Sequence, residues 1–367
     1  MKQRLAFAAG LGLCALGLSA AGPAERPAGA AHRSAAPATL AAAPSGPLGF
    51  HVSKHVALPG AGGWDYLSAD LPNHRLYISH GPEVLVLNID NQKLIGTITG
   101  VGNTHGIAFA DDHGFVTDSA DKTIVEFDRK TLAKIKSIPA PKDVDGLIYD
   151  PSTDRVFAFC GDANEAVAVN GKTGDVVGTI ALGGSPEFAA ADGRGHVFNV
   201  LSDKNQVLDI DSHSLKILNR YPLAPCEHPA GAAIDAAHHR FFAACRASAN
   251  NGGGVLAIVN TDNGKVIAAP KIGPGADAAR FDPTTDNVYA STGDGAISVF
   301  HEDNPDTFTA LGTIPTESGA RTMEIDPATQ TLFTDTAKFG PRPAGAGRGR
   351  GRPPMIPGTF TLLVVTK

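Results

Sequence analysis

One short phrase returns seven times along this chain, and its spacing limits the fold more than any other feature. Each copy is, with one exception, a polar residue followed by four mostly small or apolar residues and then usually Asp. The copies are Asp65–Asp70, His105–Ala110, Asp145–Asp150, Glu187–Asp192, Ala230–Asp235, Asp277–Asp282 and Arg321–Asp326. Their first positions are 40, 40, 42, 43, 47 and 44 residues apart. A period of about 40–45 residues made of short strands marks a β-propeller blade. The expected fold is all-β, a seven-bladed β-propeller of four-stranded blades. Length alone would suggest two or three domains for 367 residues, but one closed ring of blades replaces that reading.

The segment after the third copy shows the unit. Gly146–Tyr149 reads as an inner strand, and Asp150-Pro151-Ser152-Thr153-Asp154 as a turn in which Pro fixes φ and Asp and Ser bond the local backbone. Arg155–Phe159, Ala166–Val169 and Val176–Leu182 supply three further strands, rich in β-branched and aromatic residues. The last blade lacks one strand after Thr359–Val365. Phe50–Leu58, ahead of the first blade, is strand-like and sits 7 residues before Asp65, the same offset as Ile98 to His105. It is expected to pair with the last blade and close the ring, removing two exposed strand edges.

Lys2 and Arg4, the apolar run Leu5–Leu18 and the small residues Ser19-Ala20-Ala21 have the pattern of a secretory signal over residues 1–21. Residues 22–48 are Ala/Pro-rich and read as a flexible linker, and residues 49–367 as the propeller. A periplasmic or secreted protein follows, free or lipid-tethered through Cys14, the tethered form being disfavoured by Leu13. In an oxidising compartment Cys226 and Cys245, near the same end of adjacent strands, are expected to form a disulfide, leaving Cys160 as a buried thiol. No apolar span of transmembrane length lies beyond the N-terminus. The net charge of −6 gives no reason to expect nucleic acid. A monomer is expected.

Gly63-Trp64-Asp65-Tyr66-Leu67, Arg75-Leu76-Tyr77-Ile78-Ser79-His80, the Asp-Pro-x-Thr turns and Thr173–Ile180 resemble the YncE-like, YVTN-repeat propellers, exported bacterial proteins. The strict Tyr-Val-Thr-Asn tetrapeptide is replaced by Leu-Tyr-Ile-Ser and Val-Tyr-Ala-Ser. The resemblance spans about residues 49–367 and implies a seven-bladed ring without an agreed chemistry.

The first letter of each phrase is where a site is expected. In a propeller these positions ring the central channel on one face: Asp65, His105, Asp145, Glu187, Ala230, Asp277 and Arg321, with Glu227 and His228 beside the gap at Ala230. Short Asp side chains at such places also cap turns and bond backbone. Carboxylates with imidazole can equally hold a divalent metal such as Zn²⁺, Mn²⁺, Ca²⁺ or Cu²⁺. The leading expectation is a binding or scaffold propeller that takes a small polar ligand or an envelope protein partner on this face, using Asp65, His105, Asp145, Glu187, His228, Asp277 and Arg321. The alternative is a metal-dependent, lactonase-like hydrolase with a cation at the axis. The ends of the second strands, including His80, Asp118, Asp203, Arg246, Asp294 and Asp335, reach the same face and read as ordinary loop polar residues. Trp64 reads as packing. His238-His239 reads as a polar turn on the opposite face. The Pro/Gly/Arg-rich segment 338–357 is an insertion beside the mouth, read as a solvated loop or a lid. The sequence holds no P-loop, no Cys-x-x-Cys-His and no His-Glu-x-x-His.

Overall fold

The structure is a computed structural model that describes residues 48–60, 62–249, 253–341 and 354–367. The expected signal segment, residues 22–47 of the linker and residues 342–353 of the insertion lie outside the described residues. The strands form seven four-stranded antiparallel sheets. Blade 3 is typical: inner strand Val144–Asp150, then Arg155–Cys160, Glu165–Asn170 and the outer strand Val176–Ala181. Each strand falls where the sequence places it, with ends shifted by one or two residues.

Ring closure follows the expected route. His51–Ala57 pairs antiparallel with Thr361–Thr366, from His51 opposite Thr366 to Ala57 opposite Thr361, and becomes the outer strand of blade 7. Phe50 packs with Tyr289, Ile297 and Ile314, and so ties this strand to blade 6 as well.

The apolar core is divided among the blade junctions, one cluster to each. Tyr77, Val86 and Ile107 join blades 1 and 2; Phe115, Val144 and Val156 join blades 2 and 3; Phe157, Ile180 and Leu208 join blades 3 and 4. Phe198, Phe241 and Val255 continue the series, then Phe242, Ile258 and Val288. Trp64, Leu76, Phe333 and Phe360 join blades 7 and 1. No blade buries its two faces alone, so the sheets are stable only as neighbours in a ring. Each large side chain sealed in such a junction contributes roughly 1.5–3 kcal/mol.

One irregularity recurs and sets up the site. The register of the inner strand slips between Trp64 and Leu67, Thr104 and Ile107, Val144 and Leu147, and Pro186 and Ala189. A shorter slip lies between Pro229 and Gly231 and between Ala276 and Ala278. These are β-bulges, which leave residues unpaired and re-aim their side chains. The second strand supplies the missing partners. Thr117 of blade 2 donates across to the Asp145 carbonyl of blade 3 at 2.6 Å, and the Asn199 amide to the Glu187 carbonyl of its own blade at 2.9 Å. Near the axis the inner strands approach closely. A Cβ on Gly106 would stand 2.5 Å from the Leu147 nitrogen, and one on Gly231 2.6 Å from the Ala278 carbonyl carbon.

The disulfide joins Cys226 to Cys245 with Cα atoms 5.6 Å apart. Cys160 is buried and free, and burial, then Glu165, pushes its thiol up to about 12. It is a small core residue rather than a nucleophile.

Candidate functional site

In blades 1 to 6 the first letter of the phrase is a bulge residue, and in blade 7 it is Arg321, just ahead of the inner strand Met323–Asp326. The bulge turns these side chains toward the axis, where they bond one another. His105 Nδ1 lies 2.7 Å from Asp65 Oδ2 and 3.5 Å from Asp145 Oδ1. Arg321 Nη2 lies 3.6 Å from Asp65 Oδ1, and its Nε 2.5 Å from Asp277 Oδ2. Arg246 then links Asp277, at 2.8 Å, to Glu187, at 3.0 and 3.3 Å. The order around the mouth is Asp145, His105, Asp65, Arg321, Asp277, Arg246, Glu187, with anions and cations in alternation. Six of these residues stand on six different strands and Arg321 on the loop ahead of a seventh, and their ion pairs run from side chain to side chain rather than being the backbone caps that short acidic side chains often make.

Charge and burial shape each group. Burial alone would lower His105, but its bond to Asp65 and the charges of Asp145 and Asp65 hold its imidazole above the ordinary value. Its far nitrogen, Nε2, meets Ser119 Oγ and the Asn103 amide, each at 2.9 Å. Burial and then Asp65 push Asp145 well up, with His105 acting against them. Burial raises Glu187 although Arg246 opposes it. Beneath Arg321, burial pushes Asp335 up to about 8. Thr322 donates to one of its oxygens at 2.9 Å, and the other has no partner among the described residues.

Two buried aromatic rings lie close to these charges. The Tyr66 and Phe188 rings stack with centroids 4.4 Å apart. Burial and the surrounding Asp145, Asp65 and Glu187 raise the Tyr66 hydroxyl well above its usual range. The same two rings line a cavity on the far side with Arg280 and Glu324, which are paired at 3.0 Å. On the near side a cavity of about 420 Å³ is lined by Arg246, Asp277, Ser318, Arg321 and Phe339, with Gly275, Gly293 and Gly319 between them. Trp64 packs on Phe339 and Phe360 and carries Arg321 over its ring at 5.9 Å. The described base of the insertion is a short ladder: Phe339 bridges Met355, and Gly340 donates to the Pro354 carbonyl at 2.8 Å.

The structure brings together six of the seven residues singled out from sequence. His228 does not join them. It is exposed, with φ 51°, and its N–H bonds the Asn205 side chain at 2.8 Å. Arg246 takes the blade 5 place instead, reaching in from the end of the second strand Arg240–Ser248. The signal for it was a lone cation at a position that the other blades fill with Gly, Ser or Ala. Tyr66 was hidden because bulges cannot be read from the alternation of strand residues. Asp118 and Asp203 do cap loop N–H groups, as expected for ordinary loop residues, and Asp143 does the same. For a metal, the donor atoms of Asp65, His105 and Asp145 lie within 4.8 Å of one another. The nitrogen they would share is the one now bonded to Asp65, so a cation there would have to displace a proton.

No family model and no curated protein matches the sequence. Solved structures do match in shape. Hydrazine synthase of Kuenenia stuttgartiensis aligns with TM-score 0.66 at 15% identity, over 76% of this chain and 92% of that one. U3-55K aligns with TM-score 0.68 at 11% identity, over 84% and 97%. The RRP9 WD40 repeats align with TM-score 0.68 at 10% identity, over 84% and 96%. Likeness at such identities speaks for architecture alone, and together with the seven sheets it establishes that the chain is a seven-bladed β-propeller.

Proposed function

We propose that this chain is an exported, YncE-like binding propeller that docks a small polar ligand on the face ringed by Asp65, His105, Asp145, Glu187, Asp277 and Arg321, without catalysis of its own. The observation that carries this reading is the unbroken chain of ion pairs around the channel mouth, to which Arg246 contributes two of the links. Each member is held by neighbours, so the set is ordered before a ligand arrives and little entropy is lost on binding. The cavity of about 420 Å³ beside Arg246 and Arg321 suits an anionic group, and bidentate guanidinium recognition favours a carboxylate. Asp145, at the open end of the chain, suits a hydroxyl or an amine. A small hydroxy acid or amino acid meets both demands. The N-terminal pattern of the sequence and the Cys226–Cys245 bridge support the exported setting.

The test is a thermal-shift screen of small carboxylates, amino acids and sugars, followed by calorimetry on wild type and Arg246→Gln. A carboxylate-bearing ligand should give saturable binding that weakens about tenfold or more in Arg246→Gln, as loss of a charge-assisted pair implies. Equal binding by both proteins, or no binder in any of the three classes, would turn the reading toward a macromolecular partner.

A cation-dependent, lactonase-like hydrolase is the second reading, and the cluster of Asp65, His105 and Asp145 favours it. A divalent cation there would polarise a carbonyl. Elemental analysis of tag-free protein purified without chelator separates the two. A stoichiometric cation lost in Asp145→Asn supports the hydrolase, and its absence removes it.

A further inference from the structure

On the opposite face the Asp that ends an inner strand anchors a turn, and its charge is usually met by donors. Asp70 accepts from the Asn73 amide at 3.1 and 3.0 Å and from Arg129 Nε at 3.2 Å. Asp150 accepts from Thr153 at 2.7 Å, and Asp282 from Thr285 at 2.6 Å. Arg129 comes from the next blade. It follows that blade's third strand, and its N–H bonds the turn carbonyl of Asp112 at 3.0 Å. The equivalent residue of blade 3, Gly171, has the same backbone bond to Asp154 and sits against Ala110: a Cβ added to it would lie 2.8 Å from the Ala110 Cβ. In blade 6 the equivalent residue is Glu302, whose N–H bonds Asp286 at 2.8 Å. A carboxylate therefore faces Asp235 from the place where a guanidinium faces Asp70.

The third turn position, held by Asn73, Thr153 and Thr285 elsewhere, is His238 here. Its Nδ1 lies 2.6 Å from Asp235 Oδ2 and 3.1 Å from Glu302 Oε1. The side chains of Asp235 and Glu302 are 5% and 1% exposed, against 46% for His238. Asp235 Oδ2 and both oxygens of Glu302 receive no well-directed hydrogen bond among the described residues. One imidazole nitrogen carries one proton and cannot satisfy two carboxylates. The nearby Arg240 is committed elsewhere, to Asp306 and to the carbonyls of Pro305, His238 and His239. Burial and then Asp235 push Glu302 up to about 7, against the pull of His238 and Arg240. Two sealed carboxylates in this position lack the positive charge that the fold supplies in blade 1.

The geometry points to a divalent-cation site between blades 5 and 6, held by Asp235, His238 and Glu302, with Zn²⁺ the best match. Two carboxylates and one imidazole, with donor atoms within 4.8 Å of one another, suit a four-coordinate ion whose bonds are about 2.0–2.2 Å. The half-exposed His238 leaves the fourth position to water. The ion would tie the two blades together as Arg129 ties blades 1 and 2.

The test uses tag-free, chelator-treated protein, titrated with Zn²⁺ by calorimetry and melted with and without Zn²⁺. Wild type and Asp145→Asn should both bind an equivalent of Zn²⁺ and melt at higher temperature with it. Glu302→Gln and His238→Ala should lose that affinity by more than about 100-fold, beyond the loss expected from a residue that merely supports a ligand. Glu302→Arg should lose the response to Zn²⁺ and melt above metal-free wild type, because it restores the blade 1 pairing. The inference is overturned if wild type binds no Zn²⁺, if Glu302→Gln binds it as wild type does, or if Asp145→Asn alone abolishes it.

Discussion

Asp335 shows how a single residue under the ring couples the fold to pH. Its ordinary value lies near about 3.9, while in the folded chain burial holds it up to about 8, with Thr322 and Arg321 pulling the other way. Between those values the folded state keeps a proton that the unfolded chain has released. Stability therefore falls as pH rises through this window, by up to about 1.4 kcal/mol per pH unit. The penalty is absent below both values and complete above them. Asp335→Asn keeps an acceptor for Thr322 and removes the titration. Its melting temperature should exceed that of wild type at pH 8 and converge with it near pH 4; a difference independent of pH would refute this account. The polar first letters of the phrase were legible from their departure from strand composition, and so was their common face. Asp335 was not, because the sequence does not say that the loop polar residue of blade 7 is sealed beneath Arg321 while Asp118 caps open backbone.

At the scale of the element, the inner strand does two jobs. Its later residues pair regularly, and its first ones bulge and aim a side chain at the axis. The period-2 pattern gave the strands to within a residue or two, since burial on one face enforces it. The bulge leaves no such trace, which is why Tyr66 entered the site only with the structure. Blade 5 has the shortest outer strand, Val266–Ala268, only 3 residues long. The Cys226–Cys245 bridge staples the first two strands of that same blade across 19 residues of chain. Closing a loop of this order is worth about 3 kcal/mol in the chain-entropy model. The double variant Cys226→Ser/Cys245→Ser should melt several degrees lower than wild type in the absence of reductant. It should also be indifferent to added reductant, whereas wild type should drop to meet it.

For the whole molecule, stability rests on closure. Every junction cluster needs two blades, and blade 7 needs His51–Ala57 to cover Thr361–Thr366. Deleting residues 48–58 should lower the melting temperature sharply and broaden the transition, because the loss exposes both the edge of Thr361–Thr366 and the apolar pocket filled by Phe50. An unchanged melting curve would mean that six complete blades suffice. The closure was readable in advance because an offset of 7 residues recurs before Asp65 and His105. The distribution of charge around the channel was not, because it depends on which side chains meet across blades far apart in sequence.

Ring closure by the earliest strand also fixes an order of events during synthesis. His51–Ala57 leaves the ribosome more than 300 residues before its partner Thr361–Thr366. Through that interval blades 1 to 6 can assemble against one another, but the last interface cannot form. The final contact joins residues of the greatest sequence separation, the slowest kind to make. A polypeptide arranged this way stays open, and its ring unlocked, until Thr361–Thr366 arrives.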